Sequence, residues 1–446
     1  MTGVNEMESS LKADGSMAKR IKYTACLFMG LSHILYLKEY IKGILYGLIE
    51  IIFLCFLPLI FRKLSDLITL GSPQPDLPVK QRSNSMFMLI DGVIVIAVIL
   101  IFLVLYVLSV KNAHSEYKTY CDTKTLPGNK KAFQAMVGKS FPILGLTPAF
   151  VLIVFFVVVP LVFSASVAFT NYSSPEHIPP NNTVDWVGLD NFRTMFGGSA
   201  TWTSALGRVA LWTLVWGALA TATCYFGGML MAVILHESRI RIKGFFRVIF
   251  ILPYAVPSVV SMLVWQNLLN GSFGTVNRTL KQLGIISKNI PWLSDAYLAK
   301  FMCVLVNLWA GFPYFMLLVM GTMTAISSDI FEAARIDGAG KYQVFKRITL
   351  PLVLYQTTPL IIMSFTHNIN NFGAIFFLNG GGPNVADSTA TGAEGTDILV
   401  SWIYKLTVNL FKYNYASVLA IMIFVILAPI AIFNFRRTRS FKEGEL

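Results

Sequence analysis

Six polar residues crowd one short stretch of a markedly apolar chain: Ser364, Thr366, His367, Asn368, Asn370 and Asn371. An Asn amide holds a donor and an acceptor side by side, and hydroxyl and imidazole groups add more of each. Such a set can replace water around a solute rich in hydroxyls. At helical spacing, Ser364, His367, Asn368 and Asn371 fall on one face. Any one of them could instead join neighbouring helices by a hydrogen bond. Polar groups in an apolar span are costly, however, and mark pathways. The cluster as a whole therefore points to a solute path.

A second segment, residues 332–351, reads EAARIDGAGKYQVFKRITLP. Helix formers open it, and Asp337-Gly338 is expected to break the helix, since glycine tolerates left-handed dihedrals. A second helix is expected from about Gly340 to Ile348, with Tyr342, Phe345 and Ile348 on one face and Lys341, Lys346 and Arg347 on the others. Pro351 is expected to begin the next span, where a missing N–H costs least. The spacing predicts a short helix–turn–helix at the end of an apolar span.

The elements that must position these residues lie in lipid. Of 446 residues 55% are hydrophobic and 13% charged, against about 25% charged in soluble domains; mean hydropathy is +0.63. A spanning helix needs ~20 apolar residues, and eight stretches qualify: 41–61, 87–110, 143–169, 206–235, 246–269, 302–326, 355–378 and 415–435. Lipid leaves no partner for open backbone, so each is expected to be helical. Glu50 interrupts the first, and 24–40 is half apolar and fits an interfacial helix. Pro253, Pro257 and Pro313 fall inside spans.

The net charge of +13 would raise the question of nucleic acid in a soluble protein, but here the basic residues fall between the apolar runs. They read as orientation signals, and no nucleic-acid partner is expected. With the N-terminus inside, basic residues on that side (Lys130, Lys131, Arg239, Arg241, Lys346, Arg347, Arg436 and Arg437 among them) outnumber those outside about two-fold. Both termini and the 327–354 loop are therefore expected in the cytoplasm. The outer segments 170–205 and 379–414 are expected to be short ordered caps. No cleavable leader is expected, because the first apolar run starts far from Met1 and lacks a small-residue cleavage site. The five cysteines, with no CxxC pair, read as core or lipid-facing residues rather than metal ligands.

Catalytic machinery is missing. There is no GxxxxGK[ST] loop: Gly138-Lys139-Ser140 mimics its end, but Phe133 stands where the first glycine belongs. No HExxH, nucleophile elbow or carboxylate pair appears. No catalytic residue and no metal ligand is expected in this chain.

The identities within 332–351 carry more than their periodicity. Glu332-Ala333-Ala334, Gly338, Ile348, Leu350 and Pro351 follow EAA, three residues, G, nine residues, I, one residue, LP. That pattern resembles the coupling loop of permease subunits of binding-protein-dependent ATP-binding-cassette (ABC) importers. Ile251 to Pro257 (ILPYAVP), Asn307 to Tyr314 (NLWAGFPY) and Asn379 to Pro383 (NGGGP) are similar to the maltose/maltodextrin-type permease, the larger of two paired membrane subunits. The similarity covers about 143–440.

The resemblance implies an all-α polytopic membrane protein of about eight transmembrane helices with the type I ABC importer permease fold, in the cell membrane of a bacterium. Residues 1–142 would form an N-terminal segment, two spans and a basic loop. Residues 143–440 would form a six-span permease core, and 441–446 a cytoplasmic tail. It further implies that Glu332, Ala333, Ala334, Asp337, Gly338, Ile348, Leu350 and Pro351 couple the spans to a separate ATPase, which would hold the ATP and Mg that this chain lacks. The partners implied are a second, homologous permease subunit, two ATPase copies and an extracellular sugar-binding protein. In the maltose type, sugar contacts come from spans 5, 6 and 7, and the matching positions are Ser258, Gly311, Tyr314, His367, Asn368 and Asn371. His367 stands where an aromatic such as Phe can occur. Some relatives carry a large external domain between spans 3 and 4, where this chain has only 170–205.

The implied cargo is a maltodextrin-like or other oligosaccharide. An ion-coupled sugar transporter is the alternative, and it would need intramembrane carboxylates, for which only Glu50 and Asp91 stand. A membrane-embedded glycosyltransferase would need clustered acidic and basic groups on one side of the membrane, and a mere scaffold would not need the polar span.

Overall fold

The computed structural model describes residues 17–123, 128–129, 138, 141–237 and 241–437. Lys130, Lys131, Phe133, Lys139, Ser140, Arg239 and the expected tail 441–446 lie outside the described residues. The chain divides into two compact units, one running to Ser166 and including Pro175–Trp186, the other made of Val167–Ser174 and Val187 onward. No β-strand occurs among the described residues. Six helices are long and apolar enough to cross a membrane, and two bent pairs raise the number to eight.

The first unit holds α1 (17–27), α2 (Tyr40–Cys55), α3 (Leu57–Thr69), α4 (Ser85–Thr123) and α5, which runs through Phe141–Ile153, a widened turn at Val154–Val158 and Val159–Val167. The expected span 41–61 is in fact α2 and α3, which meet at 51°. Pro58 stands at the start of α3, where it has no N–H for the carbonyl four residues back. The stretch 24–40 is not one interfacial helix. Gly30 breaks it at φ +82°, and Ile21, Ala25 and Leu37 pack on Ala113 and Tyr117 of α4. The two carboxylates that ion coupling would use both have partners. Glu50 is buried and accepts from the Met29 backbone N–H, and Asp91 lies 2.6 Å from Lys63.

The second unit contains α6 (Ala200–Glu237), α7 (Lys243–Ala255), α8 (Ser258–Leu268), α9 (Thr275–Gln282), α10 (Ala296–Thr324), α11 (Ser328–Ile336), α12 (Lys341–Asn370), α13 (Gly373–Asn379), α14 (Leu399–Val408) and α15 (Tyr413–Arg437). Helix α6 is the spine. Its buried Trp216 donates to the Asn368 carbonyl of α12 at 3.1 Å, Tyr225 shares a 2.8 Å hydrogen bond with Thr357, and Cys224 meets Asn307 of α10 at 3.4 Å. Buried between helices, such bonds also keep polar groups from being left without a partner.

Two expected spans are built differently. Span 5 is not a continuous helix: α7 and α8 meet at 90°. Val256, which precedes Pro257, takes the extended backbone that a following proline imposes (φ −83°, ψ 133°), and Pro257 opens α8. Span 7 ends at Asn370 rather than continuing to 378, and begins at Lys341 rather than 355. The second short helix expected in 332–351 is thus continuous with the span. A π turn at Phe345–Thr349 widens the helix just before Pro351, where a regular turn would push the ring against the carbonyl four residues back.

Candidate functional site

The break in span 5 opens a hollow of about 450 Å³ in the second unit, with Tyr254, Pro257, Ser258, Ser261, Asn307, Gly311 and Asn371 in its wall. Three of the six expected solute positions, Ser258, Gly311 and Asn371, thus meet there although they come from three helical segments. Tyr314 stands one aromatic contact away, its ring 6.3 Å from that of Tyr254. His367 accepts from the Asn371 amide at 3.3 Å and is not itself in the wall of the hollow.

Asn371 is not on the helix face the periodicity gave it. It follows the last residue of α12 with extended backbone, and its amide oxygen accepts from the Gly373 N–H at 3.1 Å, starting α13. Asn368 points elsewhere. It is buried, its amide donates to Thr221 of α6 at 3.0 Å, and it holds α12 to α6 rather than lining the hollow. Ser261 and Asn307 were not among the expected positions. Asn307 stands in the NLWAGFPY motif, so its apolar surroundings were a signal. Nothing in the sequence marked Ser261, because its side of α8 is set by the 90° bend.

Residues 327–351 form the second candidate site. Ser327 caps α11 by accepting from the Asp329 N–H at 3.3 Å. The helix ends with Gly338 at φ +76°. The Ala339 N–H reaches the Ala334 carbonyl at 2.9 Å and the Gly338 N–H that of Arg335 at 3.1 Å, the paired bonds of a Schellman cap. Gln343 then caps α12 by accepting from the Gly340 N–H at 2.9 Å. Ala334 is buried, whereas Glu332, Ala333 and Asp337 are exposed. Ile336 and Tyr342 stand 86% and 71% exposed on either side of the turn, an apolar surface with nothing over it among the described residues. Ile348, Leu350 and Pro351 belong to the π turn and the helix it leads into. Phe345 and Leu350 pack on the cluster around Met316, Val319 and Val353, so the exposed turn is fixed to α10 and α12. Beside it lies a hollow of about 590 Å³ lined by Glu332, Arg335, Lys341, Tyr342 and His236.

A charged network in 380–412 escaped the sequence reading. Lys405 donates to Asp397 at 2.7 Å and to Glu394 at 2.9 Å. Arg208 of α6 donates to Asp387 at 2.5 Å and to the Glu394 carbonyl at 2.7 Å. Burial pushes the Asp397 carboxyl above its usual range, while Lys405, the Glu394 N–H and the Ser401 hydroxyl pull it back. Gly381, at φ +88°, lies against the Asp397–Lys405 pair, and any Cβ there would overlap both groups. The NGGGP motif is the cradle of this pair. Lys405 stands 8 and 11 residues from its two partners, and Arg208 stands 179 from Asp387, spacings without periodicity.

A helical bundle with a broken span and a polar hollow at the break has the architecture of a membrane permease. The chain belongs to the family of binding-protein-dependent transport system inner membrane components, whose family model matches residues 225–438. It is 38% identical over 409 residues to the galactooligosaccharides transport system permease protein GanP of Bacillus subtilis (strain 168), covering 92% of this chain and 95% of that one. It is 36% identical over 418 residues to the maltodextrin transport system permease protein MalC of Streptococcus pneumoniae serotype 4, covering 91% and 93%. The fold is shared with a bacterial ABC transporter involved in the import of the acidic polysaccharide alginate, at TM-score 0.55 and 20% identity, covering 69% of this chain and 100% of that one. The protein is a multi-pass permease subunit of an ABC importer in a bacterial cell membrane.

Proposed function

We propose that this permease carries a maltodextrin-like or other oligosaccharide, and that the hollow at the α7–α8 break is where the sugar rests. The observation that carries the reading is the convergence of Ser258, Gly311 and Asn371 on that hollow, with Tyr254 as a flat ring in its wall. Hydroxyl and amide groups match a sugar's hydroxyls, and a tyrosine face matches the C–H side of a pyranose. Half-helices that stop inside the membrane are where transporters bind solutes. The relatives named for galactooligosaccharide and maltodextrin transport support the same cargo class.

The permease core runs from residue 143, and both termini and the 327–351 turn face the cytoplasm. There the turn docks on a separate ATPase, present in two copies, which holds the ATP and Mg; this chain hydrolyses nothing. Glu332, Ala333, Asp337 and Gly338 form the docking face with Ala334 packed beneath it, and Ile348, Leu350 and Pro351 transmit its movement along α12. A second permease subunit completes the pathway, and an extracellular sugar-binding protein delivers the cargo. The test is uptake of labelled malto- and galactooligosaccharides by cells expressing the whole importer. Saturable uptake competed by one of these series supports the reading; uptake competed by neither removes the sugar assignment.

A further inference from the structure

Helix α1 reads MAKRIKYTACL, with three basic residues in its first half and no acidic residue. Ile21 and Ala25 form its buried stripe and pack on Ala113 and Tyr117 of α4. Its other sides carry Lys19, Arg20 and Lys22, all exposed, and then Tyr23 and Leu27, 75% and 76% exposed. Charge therefore sits at one end of the outer face and apolar surface at the other.

The contacts of α1 set its depth. Ala113 and Tyr117 lie past Lys111, the first charge after the apolar run of α4. The Tyr106 hydroxyl, in contrast, donates to the Cys26 carbonyl, and Tyr106 stands about 6 Å of helix inside the end of that run at Val110. The chain then turns back. Gly30 lies so close to Gly43 that a Cβ would collide with the Gly43 carbonyl, and a Cβ at Gly47 would stand 3.2 Å from the Phe28 ring. Two small residues one turn apart let the turn seat on α2. The buried Met29 N–H is met by Glu50, well inside α2. Lipid would leave that N–H without a partner, which is why a carboxylate stands in an apolar span. The returning limb, Leu31–Leu35, leads to Glu39. Its carboxylate lies 3.5 Å from Lys42, and Lys42 lies 3.5 Å from Glu116 in the charged end of α4.

We propose that residues 17–39 are a re-entrant hairpin whose outer face is a seat for anionic lipid. Lys19, Arg20 and Lys22 meet headgroup phosphates, and Tyr23 and Leu27 enter the acyl boundary below them. With the N-terminus in the cytoplasm, the leaflet is the inner one. Two features select this occupant. A face with three positive charges and no negative one attracts an anion. Large apolar side chains left exposed toward the depth of Tyr106 are at rest in hydrocarbon but not in water.

The test uses the complete importer in vesicles of phosphatidylcholine with and without phosphatidylglycerol. With Cys55 and Cys121 replaced by serine, a maleimide fluorophore reports on the exposed Cys26, because Cys224 and Cys303 are buried. Its emission should be quenched by phosphatidylglycerol carrying a nitroxide high in the acyl chain, and not by iodide. Binding of that lipid, read as quenching against its mole fraction, should weaken with salt. It should also weaken roughly fivefold for each charge removed in the series Lys19→Gln, Arg20→Gln and Lys22→Gln. Nitroxide phosphatidylcholine should show neither response, and Lys19→Arg with Lys22→Arg should bind as the parent does. Glu50→Leu should open Cys26 to iodide, whereas Glu50→Gln, which keeps an acceptor for Met29, should not. Iodide quenching in the parent overturns the re-entrant depth. Equal quenching by the two lipids, or a triple glutamine variant that binds like the parent, overturns the lipid seat. Equal iodide access in the Leu and Gln variants overturns the role of Glu50. A fluorophore that answers to removal of the ATPase subunits and not to lipid assigns the face to protein docking and also overturns the lipid seat.

Discussion

The Lys405 ammonium lies 2.7 Å from the Asp397 carboxylate, and both side chains are almost wholly buried, 7% and 0% exposed. The pair ties the last turn of α14 to Asp397, just before the helix, and Gly381 of the NGGGP segment lies against both groups. Removing one partner strands the other charge. Lys405→Met is expected to cost about 3–5 kcal/mol, read as a lowered thermal midpoint of the purified permease in detergent. The double variant Asp397→Asn with Lys405→Met should recover most of the loss. A double variant as unstable as the single one would show that the two charges are not coupled.

Asn368 and Asn371 are three residues apart but do different work. Asn368→Ala breaks the 3.0 Å bond to Thr221 and should lower stability by about 1–3 kcal/mol, the cost of an abandoned buried partner, with little change in KM. Asn371→Ala and Tyr314→Ala should lower uptake with membrane levels maintained. The contrast is checked by measuring thermal midpoint and KM on the same three variants.

The turn at Gly338 has a backbone that L-residues rarely adopt. Gly338→Val should cost about 1–2 kcal/mol locally and re-aim α11. Together with Glu332→Lys it should abolish uptake while leaving the protein inserted, as seen by membrane fractionation. Normal uptake by both variants would sink the assignment of this turn to ATPase coupling.

Energy source separates this importer from an ion-coupled carrier. Uptake should survive dissipation of the ion gradients by an uncoupler when ATP is maintained, and collapse when ATP is depleted. Because Glu50 and Asp91 are held by Met29 and Lys63, Glu50→Gln and Asp91→Asn should leave that energy dependence unchanged. Parent uptake that collapses with the ion gradients, and a loss of that dependence on either substitution, would instead assign the carboxylate a coupling role.

Much of the architecture was legible in the residues themselves. Lipid allows few backbone solutions, so apolar length alone placed most of the spans, while the first and fifth are bent pairs and the seventh is shifted toward the N-terminus. Seven identities at fixed intervals in 332–351 marked the family, because a Schellman turn needs glycine at one position and a following helix needs room for Pro351. What the sequence left open was direction. Period and proline count did not reveal that Val256-Pro257 turns the chain through 90°, or that Asn371 leaves the helix to start another. Those outcomes depend on what neighbouring helices offer in exchange for lost backbone bonds. Only tertiary packing decided that Ser258, Gly311 and Asn371 share a hollow, that Asn368 faces Thr221 instead, and that Gly381 makes room for two charges far along the chain. Local spacing fixes which face of a helix a residue is on; only the packed bundle fixes what that face meets.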